Sequence, residues 1–125
     1  MSSNVIPFAA REAHAFLEET CAGAAGMCLF LELTDDSLNG EASFLRKGDV
    51  CLVRQGGFRQ GDLHLVRMNS DNESIRYIRR RKIRGVEYIY VSSDRKPGKR
   101  FPSSYVRILG RVVKTITKED ADELR

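Results

Sequence analysis

From residue 27 to residue 114 the chain repeats one pattern: short apolar or alternating segments of strand length, each closed by turn-forming residues. This pattern constrains the fold more than any other feature. Apolar residues recurring with a period of two build strands, and frequent turn formers leave no room for long helices. Residues 27–33 form a nearly continuous apolar run, as expected of a buried strand. Further strands are expected at 49–54, 62–68, 74–80, 86–92 and 105–114. The intervening turns fall at 34–40, Gly48-Asp49, Gln55-Gly56-Gly57, 69–72, Arg84-Gly85 and Lys96-Pro97-Gly98. The expected fold class is mainly β, a bent, partly closed sheet.

Helical signals are confined to the two ends. Ala9, Ala13, Phe16 and Leu17 share a face at helical spacing, so a short N-terminal helix is expected over 8–20, with Pro7 in its first turn. The small residues of 21–26 should end it. Thr117, followed by Asp120, reads as the N-cap of a short helix over 117–125. The expected organisation is therefore an N-terminal helix and loop (1–26), one β domain (27–116) and a helical tail (117–125). A chain of 125 residues suits a single domain. No apolar run approaches the roughly 20 residues of a membrane-spanning helix, and the first residues lack the pattern of a secretory signal. Cys21, Cys28 and Cys51 are odd in number and form no C-x-x-C pair. They are expected to be unpaired, buried and apolar in character, in a cytoplasmic protein. No metal or cofactor is called for.

The net charge of +4 is unevenly distributed. Residues 76–114 hold thirteen basic residues against Glu87 and Asp94, a local excess of eleven, so the remainder carries a net −7. Such polarity points to a polyanionic partner, with DNA and RNA the candidates. Arginine outnumbers lysine by 15 to 6, which favours planar partners such as phosphates and carboxylates.

Three segments, taken in order, carry a resemblance. They are Leu31-Glu32-Leu33-Thr34-Asp35-Asp36-Ser37-Leu38, then Leu45-Arg46-Lys47-Gly48-Asp49-Val50-Cys51-Leu52-Val53, then Gly61-Asp62-Leu63-His64-Leu65-Val66 with the later Ile108-Leu109-Gly110-Arg111-Val112-Val113. Together they resemble the C-terminal domain of the LexA, UmuD and phage-repressor serine–lysine autopeptidases, and more distantly the bacterial signal peptidases, over residues 27–116. The resemblance implies a LexA-like sheet and a nucleophilic serine at Ser37, with Leu38 in place of the family's Met. It also implies an oxyanion site at the amides near Ser37 and Leu38, and a neutral lysine as base.

At the base position the chain departs from the family. The motif aligns with Ile75-Arg76-Tyr77-Ile78 and puts Arg76 where the lysine belongs. Arginine stays protonated and cannot accept the serine proton. Lys82 is the alternative base for an active peptidase, and would require a shifted register. Ala22-Gly23 and Ala25-Gly26 look like cleavable pairs, but stand too near Ser37 to loop back into its site. The family's repressors carry a helix-turn-helix head, for which the 26 residues before the first strand are too few. The expected function is therefore a head-less regulatory or interaction module with an inactive Ser37–Arg76 site. A phage-derived or stress-response setting is implied, as is a homodimer paired through 108–113 or another protein partner.

The basic run Arg79, Arg80, Arg81, Lys82 and Arg84, with Arg95, Lys96, Lys99 and Arg100, supports a second reading as a phosphate-contacting ridge. Tyr77, Tyr88 and Tyr90 are candidate stacking platforms. A solvated edge that resists aggregation would use the same charges. His14 and His64 are isolated and read as structural.

Overall fold

The computed structural model describes residues 3–8, 28–69, 72–94 and 96–125, with the Lys96 side chain left out. Eight strands form one antiparallel sheet: β1 (Val5–Pro7), β2 (Cys28–Leu33), β3 (Val50–Gln55), β4 (Leu63–Arg67), β5 (Glu73–Ile83), β6 (Val86–Ser93), β7 (Lys96–Pro102) and β8 (Arg107–Ile116). A 3-10 turn, Ser103–Tyr105, links β7 to β8, and a short helix α1 (Lys118–Leu124) follows β8. Their order across the sheet is β1-β2-β3-β8-β4-β5-β6-β7. The protein is thus mainly β, an open sheet not closed into a barrel.

Turn chemistry sets the register. Arg84 and Gly85 both have positive φ, 51° and 80°, the arrangement a two-residue hairpin between twisted strands requires. Gly110 allows β8 to bend against β3: a Cβ there would lie 2.6 Å from the Arg54 carbonyl oxygen. The buried run Val50, Cys51, Leu52 and Val53 explains why β3 reads as continuously apolar, since both its faces are covered. Leu31, Leu33, Leu38, Leu45, Cys51, Val53, Leu65 and Ile75 pack on one side. On the other, Val50, Leu52 and Ile116 pack with Phe8 and with Ala121 of α1. Asp49 ties α1 to the sheet: its carboxylate accepts the Lys118 N–H at 2.8 Å and the Arg46 N–H at 2.9 Å. The Gly48-Asp49 turn is thereby a clamp on the terminal helix, whose N-cap is Thr117 as expected.

Four expectations need correction. Pro7 closes strand β1, paired with Leu31, and Phe8 donates its N–H to the Phe30 carbonyl at 2.9 Å instead of entering a helix. Proline is tolerated there because β1 is an edge strand and its missing donor is not needed. The rest of the expected 8–20 helix and of the 21–26 loop lies outside the described residues. Secondly, Lys96-Pro97-Gly98 opens β7 and makes no turn; the strand pairs only with β6, so Pro97 and Pro102 sit on the outer edge of the sheet. Thirdly, 108–113 belongs to β8, paired with β3 on one side and β4 on the other. Both backbone edges are taken at Gly110 and Arg111, so a backbone pairing of two copies could not run through the whole of 108–113. Lastly, Cys28 is disulfide-bonded, so the cysteines are not all unpaired, and the inference of a reducing compartment loses its premise. Cys51 is free and buried, as expected, and burial pushes its thiol up to about 12. No helix among the described residues is long and apolar enough to cross a membrane.

Candidate functional site

Ser37 stands in the turn leaving β2. The side chain of Asp35 folds over this turn, its Oδ1 accepting the Ser37 N–H at 3.0 Å and the Ser37 hydroxyl at 2.6 Å. Asp36 accepts the Lys47 N–H at 2.8 Å, and Leu38, only 1% exposed, pins the turn into the core. Asx-type hydrogen bonding of this kind is what an Asp-Asp-Ser sequence favours.

Two donors from distant parts of the chain reach the same hydroxyl oxygen. Arg76 Nη1, from β5, lies 3.3 Å from Ser37 Oγ, and Asn4 Nδ2 lies 3.5 Å from it. Arg76 is 8% exposed and also donates to the Ile75 carbonyl at 2.9 Å. Burial lowers its pKa, and the negative charge of Asp35 works in the opposite direction. A guanidinium still remains protonated. Asn4 is fully buried; it donates to the Ile75 carbonyl at 3.1 Å and accepts the Ile75 N–H at 2.9 Å. It thus extends the hydrogen bonding of the sheet from the β1 edge to β5, and the sheet coils until the two nearly meet.

The chemistry of this cluster is opposite to that of an activated nucleophile. Ser37 donates its hydroxyl hydrogen bond to a carboxylate, a weak base, and its lone pairs receive hydrogen bonds from a cation and an amide. Its N–H is committed to Asp35, so it is unavailable to an oxyanion. Lys82 is exposed on β5 six residues beyond Arg76, about 20 Å away at ~3.3 Å per residue. The structure therefore brings Ser37 and Arg76 together and leaves Lys82 apart. Asp35 was legible in the sequence as an Asx turn partner two residues before the serine. Asn4 had no sequence signal.

Strand alternation divides the basic run. Arg79 and Arg81 share a face of the sheet with Tyr88, Tyr90 and Arg100, because Arg79 pairs with Tyr90, Tyr90 with Arg100 and Arg81 with Tyr88. The Arg100 guanidinium sits 4.6 Å from the Tyr88 ring centroid. Arg80 and Lys82 point to the opposite face, where Arg80 lies 4.1 Å over Phe58 and 3.9 Å from Glu87. Lys99, opposite Val91, also belongs to that second face. Arg84 occupies the hairpin turn, and Arg95 lies outside the described residues. Gln60 fixes the outer part of β5 by accepting the Arg80 N–H at 2.7 Å and donating to the Arg80 carbonyl at 2.7 Å.

His64 is fully buried on β4 and held in one tautomer. Nδ1 faces the Asp62 carbonyl at 2.8 Å, and Nε2 accepts the Arg59 N–H at 3.1 Å, so the ring is neutral. Burial lowers its pKa below the ordinary 6.5, against the raising effect of the Asp62 carbonyl. A folded pKa below the unfolded one means that the unfolded chain binds more protons in the interval between them, so stability falls as pH falls through that interval. The urea midpoint should therefore be lower at pH 5.5 than at pH 7.5. An unchanged or higher midpoint at pH 5.5 would contradict this.

Among the described residues, no group of three or more His, Cys, Asp or Glu side chains could hold a metal ion. No family model and no curated protein matches the chain.

Proposed function

We propose that the chain is a catalytically silent module of the LexA, UmuD and phage-repressor type, acting by regulation or interaction and not by peptide hydrolysis. The observation that carries this reading is the buried Arg76 guanidinium 3.3 Å from Ser37 Oγ, at the position where the resemblance places the lysine base. A peptidase of this kind needs a neutral amine to take the serine proton as the hydroxyl attacks a carbonyl carbon. Arg76 can only donate, and so stabilises the resting hydroxyl instead of activating it. With Lys82 about 20 Å up the strand, an active site using that lysine has no geometric support.

The test is chemical. Purified protein held at pH 9 for several days should keep its intact mass, leave added peptides uncut and show no labelling of Ser37 by a fluorophosphonate. Self-processing, peptide cleavage or labelling at Ser37 would overturn the proposal.

A further inference from the structure

The outer halves of β5 and β6 and the strand β7 form a three-stranded arm whose two faces differ in kind. One face packs inward through Ile78, Ile89 and Val91, with Phe101 beside them. On the other face, Arg79, Arg81 and Arg100 are exposed and interleave with the half-buried Tyr88 and Tyr90. A cleft of about 530 Å³ opens on the arm, lined by Gln60, Arg79, Arg81, Tyr90, Ser92 and Gly98 among others. Gly98 adds no side chain to its floor. Among the described residues, neither Arg79 nor Arg81 has an acidic partner, although ion pairs occupy Arg46, Arg67, Arg111 and Arg125 elsewhere.

We infer that this face binds single-stranded nucleic acid, independently of what Ser37 does. The unpartnered guanidinium forks match phosphate oxygens, which each can engage through two parallel hydrogen bonds. The Tyr90 ring beside them offers the flat apolar surface on which an unpaired base stacks, whereas Tyr88 already carries the Arg100 guanidinium; a duplex offers no such base. Ser92 places a hydroxyl at the cleft for base edges. An acidic protein would satisfy the arginines but would leave the tyrosine platform unused.

The experiment is fluorescence anisotropy of the full chain with labelled 16-mers of oligo(dT) and oligo(U), a duplex of the same length, and polyglutamate. With three arginines on phosphates, a single strand should show a log–log salt slope near −2, so that raising salt from 50 to 200 mM weakens binding about fifteenfold. Tyr90→Leu should cost about tenfold and Tyr90→Phe almost nothing, the difference expected for stacking. Replacing Arg79, Arg81 and Arg100 together by glutamine should flatten the salt slope, whereas Arg107→Gln, an exposed arginine of β8 outside the cleft, should leave affinity within twofold. The two single-stranded probes decide between DNA and RNA. No binding at 50 mM salt, equal binding of the duplex, or equal binding of polyglutamate with no effect of Tyr90→Leu would each overturn the inference.

Discussion

Asn4→Ala should destabilise the protein by about 1–3 kcal/mol, because a buried backbone donor then loses its partner. That donor is the N–H of Ile75, which Asn4 accepts at 2.9 Å at a fully buried position; the Ile75 carbonyl loses Asn4 at 3.1 Å but keeps the Arg76 guanidinium at 2.9 Å. The loss should appear as a lower urea midpoint. If the exposed surface released on unfolding is unchanged, the slope of the transition should stay the same. Asn4→Asp separates hydrogen bonding from volume: it keeps the acceptor for the Ile75 N–H, loses the donor, and buries a negative charge near the Arg76 guanidinium. It should fall between the alanine variant and the wild type. A midpoint shift in Asn4→Ala equivalent to less than about 1 kcal/mol would mean that water replaces the side chain.

The role of Asn4 marks the boundary of what the residues alone disclosed. The β class followed from alternation, and most of the strands from β2 onward lie close to their expected positions, because each buries an apolar face bounded by turn formers. Two strands escaped notice for the same reason. Val5–Pro7 and Lys96–Pro102 hold prolines, which argue against a strand locally, yet both lie at sheet edges where a missing donor is harmless. Ser37 and Arg76 could be paired from the resemblance, and their contact is local to neither segment. Asn4 comes from a segment 33 positions away from the serine and carries no periodic or motif signal. Its importance arises only once the sheet has coiled. The division of the basic run into two faces was implicit in alternation, but which face met solvent depended on Ile78, Ile89 and Val91 packing inward.

Arg76 offers the sharpest separation of stability from reactivity. Arg76→Ala removes a buried side chain with its hydrogen bonds to Ser37 Oγ and the Ile75 carbonyl and takes a positive charge from near Asp35, so a loss of about 3 kcal/mol is expected, as for breaking a buried hydrogen-bond network. Arg76→Met fills similar volume without a charge, and should recover much of that loss, since apolar replacements of buried ionic groups are often neutral. Arg76→Lys poses the chemical question. Burial is the larger influence on a cation at this position, ahead of the opposing charge of Asp35, so a lysine there should titrate below its ordinary value. At pH 9 to 10 a fraction of neutral amine would then face the Ser37 hydroxyl, and fluorophosphonate labelling of Ser37 should rise from nothing to a measurable rate. Adding Asp35→Asn to Arg76→Lys should raise it further, because the carboxylate no longer holds the serine proton or favours the ammonium. If Arg76→Lys stays inert and only the double variant reacts, the 2.6 Å grip of Asp35 on the hydroxyl, and not the arginine, is what keeps this serine silent.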